Sequence, residues 1–151
     1  MGLIDELDGH RIFLDTAPFI YFIERHDKYL SLVKPVFNGI DNEKIDAITS
    51  TVTLLEVLVH PLKTRNKELA EQYREILLFS GGLTTYEIQH STSERAALLR
   101  AKYTIKAPDA LQVAVGILYG AEKFVTNDPQ LKKIKEIDVI IIDDYLKEDT
   151  G

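Results

Sequence analysis

Four acidic residues stand where predicted strands end or where the helices that follow them begin. Asp15 closes the segment Ile12-Phe13-Leu14-Asp15, Glu56 lies in the helix after the second strand, Asp109 follows Pro108, and Asp128 follows Val125-Thr126-Asn127. In a parallel sheet these positions converge on one edge. Clustered carboxylates raise one another's pKa values, and a divalent cation removes that repulsion. Because all the ligands are oxygens, the pattern predicts a site for Mg²⁺ or Mn²⁺.

Each acid also has a purely structural interpretation. Asp109 suits a helix N-terminus through its interaction with the helix dipole, Asp128 before a proline suits a helix cap, and Asp15 suits a turn. Glu56 is harder to explain in this way because apolar residues, Leu54, Leu55, Val57 and Leu58, surround it. A buried carboxylate needs a partner, so we expect Glu56 to be buried and paired. The four acids together favour a functional site over four separate structural roles.

Five short apolar or β-branched segments are predicted to be the strands that position these acids. They are Arg11 to Asp15, Asp46 to Ser50, Gly82 to Tyr86, Lys123 to Thr126 and Asp138 to Ile142. Stretches with helical spacing separate them: Lys28 to Asn38 (ending at Gly39), Val52 to Leu62, Lys67 to Phe79, Ser93 to Tyr103, Pro108 to Tyr119, and a short helix opened by Pro129. Strands that alternate with helices predict parallel pairing, with helices on both faces of the sheet.

Length and composition limit the class of protein. The chain of 151 residues, 45% hydrophobic and 28% charged, predicts a single soluble domain over 1–151 with a core of about 11–145. With no cysteine, thiol nucleophiles and thiolate metal sites are excluded. The apolar runs are too short to span a membrane and no secretory signal is evident, so we expect a cytoplasmic protein. The net charge of −6 argues against nucleic-acid binding through bulk positive charge, but not against a site of metal-bound acids.

At these four segments the sequence resembles the PIN-domain family of metal-dependent nucleases, and within it the VapC-type toxins. The matching words are Phe13-Leu14-Asp15-Thr16, Ser50 to Glu56, Pro108-Asp109-Ala110-Leu111 leading to Ala114, and Val125-Thr126-Asn127-Asp128. The resemblance implies a three-layer α/β/α sandwich around a parallel five-stranded sheet in the order 3-2-1-4-5. It also implies that Asp15, Glu56, Asp109 and Asp128 are the catalytic and metal-ligating residues, with Thr16 and Thr126 as neighbouring hydroxyls. One departure from the family pattern is Leu131, which stands near a place where the family often has an aromatic residue.

Hydrolysis of an RNA phosphodiester by a metal-activated water is the predicted chemistry. No Gly-x-Ser-x-Gly elbow or Gly-rich phosphate loop is present, and Asp15-Thr16-Ala17 lacks the second acid of phosphatases that use an aspartyl nucleophile. One or two Mg²⁺ or Mn²⁺ ions would activate the water and shield the phosphate, leaving a 5′-phosphate and a 3′-hydroxyl. General acid–base catalysis by the histidines, His10, His26, His60 and His90, is the competing mechanism.

Basic residues near the acids are the candidates for substrate binding. Lys63 and Arg65 follow the Glu56 helix, and Lys106 precedes Asp109. The hydroxyls of Thr16 and Thr126 are two further candidates for substrate binding. The family resemblance implies a homodimer and a small antitoxin-type inhibitor protein. The apolar segment from Ile20 to Leu30 is a candidate surface for either partner, or else part of the core.

Two other functions use the same residues. An RNA-maturation nuclease outside a toxin system would have the same site. A non-catalytic module that binds RNA or protein would keep the fold without turnover.

Overall fold

The protein, described by a computed structural model over residues 2–146, is built on a five-stranded parallel sheet in the order β3-β2-β1-β4-β5. The strands are β1 (Arg11–Leu14), β2 (Asp46–Ser50), β3 (Leu83–Tyr86), β4 (Lys123–Thr126) and β5 (Asp138–Ile141). β1 lies at the centre, with Phe13 paired to Ile48 of β2 and to Phe124 of β4. All four pairings are parallel, which confirms the predicted sheet and strand order.

Helices cover both faces of this sheet. They are α1 (Leu3–Leu7), α2 (Thr16–Ile23), α3 (Leu30–Asp41), α4 (Thr51–Lys63), α5 (Lys67–Phe79), α6 (His90–Lys102) and α7 (Ala107–Leu118). Two short 3-10 helices follow, at Pro129–Lys133 and Ile142–Tyr145. No helix within residues 2–146 has the length and hydropathy needed to cross a bilayer.

The core is divided by the sheet into two halves, because alternate strand residues point to opposite faces. Ile12 and Leu14 of β1 pack into one half with residues of α1, α2, α3 and α5. Phe13 points into the other half, where α6 and α7 pack, and its ring stacks on Phe124 with centroids 5.0 Å apart. The predicted three-layer α/β/α sandwich is therefore confirmed.

The helix boundaries differ from the prediction around Gly39. The sequence places a helix end there, but α3 continues to Asp41. A Cβ on Gly39 would lie 2.8 Å from the Cδ1 of Ile45. The glycine therefore permits close packing inside the structure rather than ending the helix.

Two α-helices are absent from the sequence prediction. α1 is short, and α2 begins immediately after β1, where the prediction extends the strand through Asp15. The strand ends at Leu14 because Asp15 caps α2, its carboxylate accepting a hydrogen bond from the Thr16 backbone N–H at 2.8 Å. Strand and helix therefore meet without a loop.

Candidate active site

The four acids predicted from the sequence all lie at the edge of the sheet where its strands end. Asp15 directly follows β1, and Asp128 follows β4 after one intervening residue. Glu56 is the sixth residue of α4, which begins at the end of β2, and Asp109 is the third residue of α7. Since β2, β1 and β4 are neighbours and run parallel, the fold gathers these acids from distant parts of the chain.

Asp15 is the most thoroughly held of the four carboxylates. It accepts hydrogen bonds from the Thr126 hydroxyl at 2.7 Å, from the Thr16 backbone N–H at 2.8 Å and from the Gln112 side-chain amide at 3.2 Å. Burial raises its pKa, the three hydrogen bonds lower it, and the charge of Glu56 raises it again, with a net upward shift. These donors fix the orientation of a carboxylate that burial alone would destabilise.

Glu56 is positioned differently from the expectation. It is exposed on α4, as are its neighbours Leu55 (64% exposed) and Val59 (55% exposed). The interpretation that an apolar surrounding buries Glu56 is therefore wrong, because that side of α4 faces away from the core. Glu56 does have a partner: the Thr16 hydroxyl donates to its carboxylate at 2.7 Å.

Asp109 shows the electrostatic effect of the cluster most clearly. Burial, followed by the charges of Asp15, Asp128 and Glu56, raises the pKa of Asp109 from 3.8 to about 6, while Lys106 opposes the rise. No lysine or arginine within residues 2–146 forms an ion pair with any of the four acids. The negative charges therefore act on one another without an ion-pair partner in the described chain, and Lys106 offsets only part of the effect on Asp109.

Three of the acids also have the local structural roles considered from the sequence. Asp15 caps α2, Asp128 caps the following 3-10 helix by accepting from the Gln130 backbone N–H at 3.0 Å, and Asp109 lies in the first turn of α7. These roles use single oxygens or the helix dipole, and they do not explain why the acids share one edge.

Beneath the site lies a buried polar network. Gln112 is 1% exposed, and its amide donates to Thr53 at 2.6 Å as well as to Asp15. The Ser50 hydroxyl donates to the Gln112 carbonyl oxygen at 2.5 Å, and the hydroxyls of Thr49 and Thr53 lie 2.9 Å apart. Every buried side-chain polar atom in the described part of the chain has a partner. Such fully satisfied networks fix one arrangement of the side chains.

Sequence reasoning missed Gln112. Its signal is a single polar residue in the otherwise apolar stretch from Ala110 to Gly116, three residues after Asp109 and so on the same helix face.

By its chemistry this donor set suits a hard divalent cation, since all four groups are carboxylates and burial with mutual repulsion raises the pKa values of Asp15 and Asp109. As the side chains stand, no three histidine, aspartate or glutamate residues among 2–146 are grouped closely enough to hold one ion. Glu56 is exposed, and its carboxylate is engaged by a single hydroxyl. The residues fit a metal by their type, their charge and their common sheet edge, although among residues 2–146 no three of them surround one point.

The predicted substrate-binding cations lie at different distances from the acids. Lys106 immediately precedes α7 and is close enough to affect the pKa of Asp109. Lys63 ends α4, seven residues beyond Glu56, which is about 10 Å along a helix axis. Arg65 lies further along the chain in the exposed turn before α5.

The histidines do not form a recognisable acid–base pair with the site. His10 lies 2.8 Å from Glu122 before β1, at the opposite end of that strand from Asp15. The His26 ring packs against Tyr21 and Tyr29. His60 and His90 are exposed, on α4 and at the start of α6.

The apolar segment considered as a partner surface is partly buried at residues 20–23 and exposed at residues 24–28. Ile20, Tyr21, Phe22 and Ile23 pack against the larger hydrophobic cluster, and Phe22 stacks on Phe37 with ring centroids 4.2 Å apart. The exposed large apolar residues of the described chain lie elsewhere, on α4 (Leu55, Val59, Leu62), at the end of α5 (Leu78, Phe79), on α6 (Leu98) and at the end of α7 (Leu118).

Comparison with known proteins gives one family. The sequence model of the PIN domain matches residues 12–137, which include all four acids. No curated protein sequence gave a match.

Solved structures of toxin–antitoxin systems share the fold. The VapBC2 complex of Rickettsia felis bound to a promoter DNA fragment contains a chain with 20% identity and a TM-score of 0.69, over 87% of this chain and 98% of that one. A toxin–antitoxin complex of Klebsiella pneumoniae gives 20% identity and a TM-score of 0.66, over 87% and 97%. VapC20 of Mycobacterium tuberculosis is described as a toxin that cleaves the sarcin–ricin loop. Its chain has 17% sequence identity and a TM-score of 0.65, over 84% of this chain and 98% of that one.

Proposed function

The chain belongs to the PIN domain family, and from this membership we propose that it is a metal-dependent endoribonuclease of the cytoplasm. The observation that carries the proposal is the set of four carboxylates at one sheet edge, where burial and then their mutual charge raise the pKa of Asp109 to about 6. In a protein that used this edge only for stability, replacing such acids with neutral residues would raise the free energy of unfolding. A site that binds divalent cations requires them.

The roles of the residues follow from their surroundings. Asp15 and Asp109, whose pKa values are raised by burial and by the neighbouring acids, are the proposed inner ligands for Mg²⁺ or Mn²⁺, and Glu56 and Asp128 complete the donor set. When bound, the cation supplies charge neutralisation at the phosphate and activates the attacking water. Thr126 and Gln112 hold Asp15 in position, and Thr16 holds Glu56. The products are a 5′-phosphate and a 3′-hydroxyl.

Cleavage of total cellular RNA in Mn²⁺, Mg²⁺ or EDTA tests this function, with new 5′ ends mapped by sequencing. The Asp109→Asn variant is expected to lose turnover while keeping its fold. Asp138→Asn is the matched control, because Asp138 starts β5 at the opposite edge of the sheet and pairs with Lys123 at 2.8 Å. Discrete, metal-dependent cuts that persist in Asp138→Asn and disappear in Asp109→Asn support the proposal. Cuts that persist in EDTA or in Asp109→Asn contradict it and favour the histidine mechanism.

We further propose that the protein is the toxin of a toxin–antitoxin pair, inhibited by a small partner protein. The support is the fold shared with chains from complexes described as toxin–antitoxin assemblies. Induced expression in a bacterial host is expected to arrest growth in the wild type and not in Asp109→Asn. Expression that leaves growth unaffected, from a protein that cuts RNA in vitro, points instead to a role in RNA maturation.

The proposed homodimer has a separate test. The large apolar residues exposed on α4 and α6 are a reason to expect association. Light scattering coupled to size exclusion is expected to give twice the 17.2 kDa of one chain. A mass of one chain at micromolar concentration refutes the dimer and leaves the nuclease proposal untouched.

A further inference from the structure

A cavity of about 340 Å³ opens beside two of the four acids, and we call it the Arg100 pocket. Asp109 and Asp128 line it together with Arg100, Lys106 and Gln130, and Ile105 and Leu131 contribute apolar surface. The residues come from α6, from the loop before α7, from α7 and from the 3-10 helix after β4. The pocket therefore continues the proposed active site toward the α6 side.

Charges of both signs share this pocket without pairing. The Arg100 Nε donates to the Ile105 carbonyl at 3.1 Å, which fixes the guanidinium against the loop. Among residues 2–146, no carboxylate forms an ion pair with Arg100 or Lys106. Other cations of the same region are engaged: Lys102 with Glu136, Lys132 with the Val139 carbonyl and Lys133 with the Thr104 carbonyl. Arg100 is held to a carbonyl through Nε, and its charge, like that of Lys106, has no carboxylate partner among residues 2–146, so both can bind an anion.

The size and remaining lining of the pocket suit one nucleotide. Its volume falls at the lower end of the range for small-molecule sites. Ile105, which is partly exposed, offers apolar contact to a base, and the Gln130 amide both donates and accepts, as recognition of a base edge requires. A fixed guanidinium suits phosphate because its N–H groups match the phosphate oxygens.

We propose that the Arg100 pocket binds the RNA nucleotide adjacent to the scissile phosphate. Arg100 and Lys106 contact its phosphate, and Gln130 reads the edge of its base. This inference rests on the proposed nuclease function. Arg100 is a substrate-positioning residue here, and the reaction itself stays with the four acids.

The test compares Arg100→Ala, Arg100→Lys and the control Arg95→Ala. Arg95 lies on the same helix but lines a different cavity, with Leu98 and Lys102. Steady-state cleavage of a short single-stranded RNA that carries a mapped cut site gives KM and kcat separately. We expect Arg100→Ala to raise KM about tenfold, the effect of losing roughly one charged phosphate contact, with kcat within about threefold of wild type. Arg100→Lys should recover part of the loss, and Arg95→Ala should match wild type.

Gln130→Ala provides a second readout that a merely structural role would not change. Sequencing of the 5′ ends is expected to show a relaxed base preference at one position beside the cut, with the other positions unchanged. An unchanged preference at every position overturns the assignment of Gln130.

A binding measurement separates failure of this inference from failure of the proposed function. Fluorescently labelled single-stranded RNA is titrated into Asp15→Asn protein with and without Arg100→Ala, at two salt concentrations. If wild type cleaves RNA and Arg100→Ala leaves both KM and affinity unchanged, the pocket assignment is wrong and the nuclease stands. If wild type cleaves nothing, the nuclease proposal fails and with it the placement beside a scissile phosphate, whereas an Arg100-dependent affinity still supports nucleotide binding in the pocket. Arg100-dependent binding of a polyglutamate peptide without RNA binding overturns the nucleotide assignment.

Discussion

Replacing Asp109 by asparagine is expected to stabilise the metal-free protein at neutral pH, although the same change removes activity. The pKa of Asp109 is raised from 3.8 to about 6 in the folded protein, first by burial and then by the charges of Asp15, Asp128 and Glu56. A folded-state pKa above the unfolded value means that the ionised side chain destabilises the fold. The penalty is absent below pH 3.8, grows between pH 3.8 and 6, and is complete above pH 6.

The magnitude follows from the size of this rise. At about 1.4 kcal/mol for each pKa unit, the rise corresponds to about 3 kcal/mol at most. Asp109 is only half-buried, so solvent screening reduces the penalty to about 1–2 kcal/mol. Asparagine also loses a favourable interaction with the N-terminus of α7, worth roughly 0.3–1 kcal/mol. The net expectation is a small gain in the free energy of unfolding at pH 8 and none at pH 3.5.

Urea denaturation in EDTA at several pH values measures this difference. Glu68→Gln is the matched control, because Glu68 is an exposed acid in the first turn of α5 and is not one of the four acids of the site. It should lose a few tenths of a kcal/mol at pH 8 through the helix dipole alone. If Asp109→Asn is destabilised equally at pH 8 and at pH 3.5, burial and the charges of the other three acids do not raise the pKa of Asp109 in the folded protein.

Three further predictions concern the ion, the buried network and one turn. Adding Mn²⁺ should raise the melting temperature of the wild type, since a ligand that binds only the folded state stabilises it. The melting temperature of Asp109→Asn should not change on the same addition. Equal shifts in the two proteins would place the ion at another site. Gln112→Leu should lower the free energy of unfolding by about 2–4 kcal/mol in urea titrations, because Ser50 and Thr53 lose a buried partner; a loss below 0.5 kcal/mol would show that the network is dispensable. Gly82→Ala should lower the melting temperature by several degrees. The φ of +80° at this position is unfavourable for alanine, and the added Cβ would lie 2.5 Å from the Ile40 carbonyl oxygen. An unchanged melting temperature would contradict this packing.

The sequence by itself determined most of the sheet and the identity of the acids. β2 and β4 match their predicted bounds, and α5 does as well, because short β-branched runs and helical spacing are local signals. The placement of Asp15 and Asp128 at one edge also followed, since parallel strands bring their ends together. The assignment of 1–151 to a single domain remains a prediction.

Only the tertiary structure decided what surrounds those acids. The exposure of Glu56 depends on how α4 is rotated against the sheet, and the apolar residues beside it mislead because Leu55 and Val59 face away from the core, whereas Val57 is buried. Gln112 is the partner of Asp15 because α7 packs beneath the strand ends, a contact between segments that are distant in the sequence. Arg100 lies beside Asp109 and Asp128 because α6 packs against α7, and the sequence contains no pattern that predicts this contact. Local patterns fix the elements, whereas the surroundings of a side chain depend on helix rotation and packing between distant segments, which a linear pattern does not contain.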